Sequence, residues 1–164
     1  MTNRVASGTV EMNAAIKLSD LIETMESQDD ESEIFVNRRT GEVLIFSEEE
    51  LTIAEGGDDP DSFPEWQREI IKLANEALDS DDYVEMDAAH EIDDYGAMRD
   101  FCDSISDIVI SDQLHASIRG RGAFQHFRRS VEEFDLMEQW LAFKREAYKR
   151  VAIAWCKENN FDYS

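Results

Sequence analysis

Gly120 and Gly122, with one residue between them, constrain the C-terminal half of this chain more than any other feature. Apolar residues recur at helical spacing on both sides of them, so the pair marks a tight break between two helices. Gly120 is expected to end one helix in a left-handed conformation, and Gly122 to let the next begin close by. Phe124, Phe127, Val131 and Phe134 then share one helical face, with Phe124 and Phe127 expected in the core.

The same break gathers positive charge. Arg119, Arg121, Arg128 and Arg129 flank it in a chain of formal net charge -22. Residues 1–112 hold 31 Asp/Glu against 7 Lys/Arg, and residues 113–164 hold 7 against 9, so the acidity lies in the first two-thirds. Free N–H groups at a helix start beside arginines can hold an anion, because Arg grips phosphate or carboxylate through two parallel hydrogen bonds. The candidate anion site is therefore Arg119, Gly120, Arg121, Gly122, Arg128 and Arg129. The glycines and phenylalanines also have a purely structural reading as a helix corner over a core.

At 164 residues, with 42% hydrophobic content, nine Phe and three Trp, the chain can bury a core without staples. It reads as a flexible tail over residues 1–15 and a single α+β domain over residues 16–164. Leu18, Leu21, Ile22 and Met25 stripe a first helix, with Ser19 or Asp20 as its cap. Ile34-Phe35-Val36 and Val43-Leu44-Ile45-Phe46 form a hairpin around Gly41, with Phe35 and Leu44 or Phe46 on the core face. Residues 47–62 read as a mobile acidic loop, and Ser62 with Glu65 as a capping box. The helix that follows carries Trp66, Ile70, Leu73, Ala74 and Ala77, and Tyr83-Val84-Glu85-Met86 adds a third short strand. Asp93 caps a helix striped by Tyr95, Met98, Phe101, Cys102 and Ile105, and a further helix with Ile110 and Leu114 runs to Ile118. Asp135 is expected to cap a long last helix striped by Trp140, Phe143, Ala147, Val151 and Ala154. The fold class is α+β, an N-terminal helix and small antiparallel sheet packed with a mostly helical C-terminal half.

The function classes narrow by exclusion. Cys102 and Cys156 sit inside helical patterns and read as buried thiols in a reducing compartment. No signal pattern and no long apolar run is present, so a cytoplasmic protein with no membrane partner is expected. The phosphate-loop spacing is absent, and Gly-x-Gly after a helix, without a third glycine, does not make a dinucleotide site. Asp79–Asp82 and the run 87–94 with His90 are rich in oxygen ligands but lack the calcium-loop pattern, and read as solvated loops and caps. No nucleophile elbow or triad is visible, so no catalytic residue, metal or cofactor is assigned. The leading expectation is a non-enzymatic regulatory or interaction protein with the Gly120 break as its functional surface and a protein partner, a basic one suiting the acidic surface. The alternatives are a phosphate- or nucleic-acid-binding protein using the arginines of the break, and a metal-dependent enzyme.

Separated motifs carry a resemblance. Leu18-Ser19-Asp20-Leu21-Ile22, Thr40-Gly41-Glu42-Val43, the Tyr95-Met98-Phe101 spacing and Gly120-Arg121-Gly122-Ala123-Phe124 occur in that order. With Trp140-Leu141-Ala142-Phe143 and Ala152–Cys156 they resemble the bacterial uncharacterised protein family 0158 over about residues 16–163. The family pattern continues with two arginines where this chain has Gln125 and His126, so two positive charges are missing here. The resemblance implies no enzymatic activity and no catalytic residues.

Overall fold

The structure, a computed structural model, describes residues 13–87 and 92–164. They form two compact units, one from residues 13–87 with Val151–Ser164 and one from Ile92–Arg150. The fold class is α+β, as the patterning predicts. No helix among the described residues is long and apolar enough to cross a membrane. The expected tail falls outside the described residues up to residue 12, as do His90 and Glu91 of the acidic run.

The first unit runs β1 (Asn13–Ile16), α1 (Leu18–Ser27), β2 (Ser32–Asn37), β3 (Val43–Ser47), α2 (Glu48–Glu55), α3 (Glu65–Asp79) and β4 (Tyr83–Glu85). The end of α7 (Met137–Glu158) and β5 (Phe161–Tyr163) complete it. β2 and β3 form the expected hairpin, with Phe35 opposite Leu44, and β4 pairs antiparallel on the other side of β2. Leu44 and Phe46 both share the face of Phe35, whose ring lies 5.7 Å from that of Phe46. β1 and β5 make a separate parallel pair. Gly41 turns the hairpin at φ 76°, and its α-carbon faces the Ala15 carbonyl so closely that a Cβ would overlap it.

Several local expectations fail here for identifiable reasons. Residues 48–55 form α2 rather than a loop, because a capping box sits at its start. The Glu50 N–H donates to Ser47 Oγ at 3.1 Å, and the Ser47 N–H donates to Glu50 Oε1 at 2.8 Å. Ser62 does not cap α3; its hydroxyl donates to the Asp59 carbonyl within a short 3-10 turn, and Pro64 leads into the helix. Neither Ser19 nor Asp20 caps α1, which begins after Lys17 with no side-chain cap. Trp66 is 78% exposed rather than part of the α3 core stripe.

The second unit is helical throughout its described residues: α4 (Asp94–Ser104), α5 (Ile108–Ser117), α6 (Ala123–Glu133) and α7 up to Arg150. Asp93 caps α4 as predicted, accepting from the Gly96 N–H at 2.8 Å, and Asp107 caps α5. The core gathers Met98, Phe101, Cys102, Leu114, Phe127 and Val131, with Trp140 and Phe143 against it. Phe101 makes edge contacts with Phe127, Trp140 and Phe143. Asp135 does not cap α7; at φ 57° it continues the chain out of α6 in a left-handed conformation. The buried positions of α7 are Tyr148, Ala152, Trp155 and Cys156, one residue round from part of the predicted stripe.

Both cysteines are buried free thiols. Burial pushes Cys156 up to about 11, and burial with the nearby Asp103 charge does the same to Cys102. Neither is poised as a nucleophile at neutral pH.

Candidate functional site

The break between α5 and α6 is built as the glycines require. Gly120 and Gly122 lie at φ 78° and φ 70°, both left-handed. A Cβ on Gly120 would meet nothing within 4 Å, so backbone conformation rather than crowding selects glycine there. Ile118 and Ala123 on either side are buried, and the Tyr95 phenol of α4 donates to the Ile118 carbonyl at 3.1 Å. Tyr95, expected in the core stripe, is 42% exposed and acts through this hydroxyl.

Arg119, Arg121, Arg128 and Arg129 are all exposed. Arg128 pairs with Glu132 one turn on, Nε to Oε1 at 3.5 Å. Both partners are open to solvent, so the pair holds Arg128 weakly. Arg119, Arg121 and Arg129 have no described carboxylate within ion-pair range. The N–H groups of Ala123, Phe124 and Gln125, in the first turn of α6, donate to no described group.

Phe124 departs most from expectation. It is 58% exposed, whereas Phe127, three residues on, is 1% exposed. Phe124 is the second residue of α6, and helical side chains lean toward the N-terminus, so no preceding turn of the helix covers its ring. There it forms one lip of a groove of about 270 Å³ between α6 and α7. Leu141, 51% exposed, lines the groove from α7, and Phe127, Trp140, Met98 and Met137 also line it. Phe127 and Trp140 meet edge to face at 4.9 Å, which locks the two helices at the groove floor.

Among the described residues three charged groups line this groove. Arg128 and Lys144 are cationic, and Asp94 is the one carboxylate. The Tyr148 phenol donates to Asp94 Oδ1 at 2.8 Å, and the Lys144 ammonium stands 5.4 Å over the Tyr148 ring. Of the six residues of the candidate anion site, only Arg128 lines the groove; the glycine corner and Arg119, Arg121 and Arg129 lie outside its lining. Phe124, Trp140, Leu141 and Lys144 are functional candidates that periodicity alone assigns to the core or leaves unmarked.

The first unit offers other surfaces. A broad polar cleft of about 1020 Å³ is lined by Asn13, Arg38, Asp81, Asn159 and Asn160, and by Arg39, whose Nε holds Asp82 Oδ1 at 3.0 Å. A second cavity of about 440 Å³ is bordered by carboxylates, among them Glu33 and Glu85 on neighbouring strands. Burial, a hydrogen bond with Asp87, and the charges of Asp87 and Glu33 together push Glu85 from 4.5 up to about 7. Among the described residues no three His, Cys, Asp or Glu side chains gather as a metal ion requires.

No curated protein and no solved structure matches the chain. A family model matches it over residues 12–164, nearly the whole sequence and every one of the separated motifs. The chain belongs to the Uncharacterised protein family (UPF0158).

Proposed function

We propose that this protein is a non-enzymatic binding protein that docks a protein partner on the α6–α7 face of its second unit. One observation carries the reading: Phe124 and Leu141 stand more than half exposed at an apolar groove lined by Trp140 and Phe127. Leaving such a side chain in water forgoes about 1.5–3 kcal/mol of burial. A groove of about 270 Å³ lies at or below the size that encloses a small ligand, but suits one or two anchoring side chains. Position-specific photo-crosslinking in the native cell tests it. A cross-linker at residue 124 should capture one defined protein, identified by mass spectrometry, and a cross-linker at the still more exposed residue 66 should not. Capture of that protein from position 66 alone would refute the placement.

A second reading, phosphate or nucleic-acid binding at the α5–α6 corner, draws on Arg119, Arg121 and Arg129 and the free N–H groups of Ala123, Phe124 and Gln125. It requires RNA or nucleotide affinity that falls with salt in proportion to the phosphates held. Absence of binding at low salt removes it.

A further inference from the structure

We infer that the element accepted by this groove is an amphipathic helix whose apolar anchors are flanked by carboxylates, an inference that rests on the docking reading above. The conformation follows from the groove walls. Among the described residues the second unit has no strand, and α6 and α7 present side chains rather than free backbone groups. An extended segment would find no sheet edge to pair with, so a partner that covers the groove must satisfy its own backbone, as a helix does.

The charge follows from the rim. Arg128 and Lys144 reach the groove from opposite helices, Arg128 held only by its weak, solvent-exposed pair with Glu132, and Arg121 lies three residues before Phe124 with no described carboxylate in range. Among the described residues the one carboxylate in the groove lining, Asp94, is already engaged by the Tyr148 hydroxyl. Acidic flanks are complemented there, and basic flanks would leave two cations facing like charge. The whole chain is strongly acidic at -22, so an acidic partner gains nothing at long range. Its carboxylates act only inside the screening length, after apolar anchoring. Both features are therefore required together, and acidity alone is insufficient.

Synthetic labelled helices of about four turns, titrated against the full chain by fluorescence anisotropy, test this directly. The reference peptide carries Leu or Phe at i, i+4 and i+7 with Glu on the flanks. It should bind, and each of three variants should bind at least about tenfold more weakly: Glu replaced by Lys, apolar anchors replaced by Ser, and a central Pro. The double substitution Arg128→Glu/Lys144→Glu, at exposed or half-buried positions, should reverse the preference between the Glu and Lys peptides. Equal or tighter binding of the Lys peptide, or undiminished binding of the Pro peptide, would overturn the inference. So would no binding of the reference peptide to folded protein, competition for the groove by an RNA oligonucleotide, or self-association blocked by Phe124→Ser. A partner captured at residue 124 while the reference peptide fails would sink this inference alone; loss of both would sink the docking reading as well.

Discussion

The phenol of Tyr148 donates to Asp94 Oδ1 at 2.8 Å, and this bond engages the only carboxylate among the described residues that line the α6–α7 groove. Tyr148 is buried at 6% exposure, and Asp94 opens α4 just after its cap. Tyr148→Phe removes the donor and leaves the carboxylate without it. Urea unfolding should show a loss of about 1.5–3 kcal/mol, typical of a hydrogen bond to a charged acceptor. Asp94→Asn should then cost less in the Tyr148→Phe background than in wild type. Equal costs in the two backgrounds would show that the pair is not coupled.

Gly41 and Gly120 share a left-handed backbone but differ in surroundings. A Cβ on Gly41 runs into the Ala15 carbonyl, and one on Gly120 meets open space. Gly41→Ala should therefore destabilise by about 2–4 kcal/mol, from strain plus displacement of β1. Gly120→Ala should cost only about 1 kcal/mol, the conformational part alone. Similar losses at the two sites would contradict the packing assigned to Gly41.

Glu85 gives a pH signature. Its folded value is raised from 4.5 to about 7, so between these values the folded state holds a proton that the unfolded state has released. Stability is full below about pH 4.5, falls as pH rises toward 7, and is level above. The side chain is exposed, so screening reduces the effect to about 1 kcal/mol. Glu85→Gln should stabilise by about that amount at pH 8 and by nothing at pH 4, measured by denaturant unfolding. A stabilisation independent of pH would place the cause elsewhere.

Phe124 and Phe127 lie three residues apart and have opposite fates, 58% and 1% exposed. Phe127→Ala should cost about 3–5 kcal/mol, since it empties the contacts with Phe101 and Trp140. Phe124→Ser should leave the unfolding midpoint nearly unchanged. A large loss at residue 124 would mean that its ring belongs to the core after all.

These two phenylalanines also mark the limit of what the sequence makes legible. Strict period-two and period-3.6 patterns place the hairpin, the third strand, the Asp93 cap and the buried stripe of α1, because each is local and repeated. The same periodicity misassigns Phe124 and Trp66, each the second residue of its helix, where no preceding turn covers the side chain. α2 escapes notice because it buries only Ala54, and its capping box lies at Ser47 and Glu50 rather than at Ser62 and Glu65. β1 and β5 are four and three residues long and pair across almost the whole chain, so no local pattern specifies them. For the site, the arginines and glycines of the break are readable as a cluster. The groove is not, because it depends on Leu141 and Lys144 of α7 meeting the start of α6.

Partner binding through this groove, as proposed, turns on the exposed apolar lip formed by Phe124 and Leu141. Its most direct test is the affinity of the protein cross-linked at residue 124 for wild type and for Leu141→Asp, measured by calorimetry at matched thermal stability. Docking in the groove entails a loss of at least about tenfold with no change in the unfolding midpoint. An unchanged affinity would contradict it.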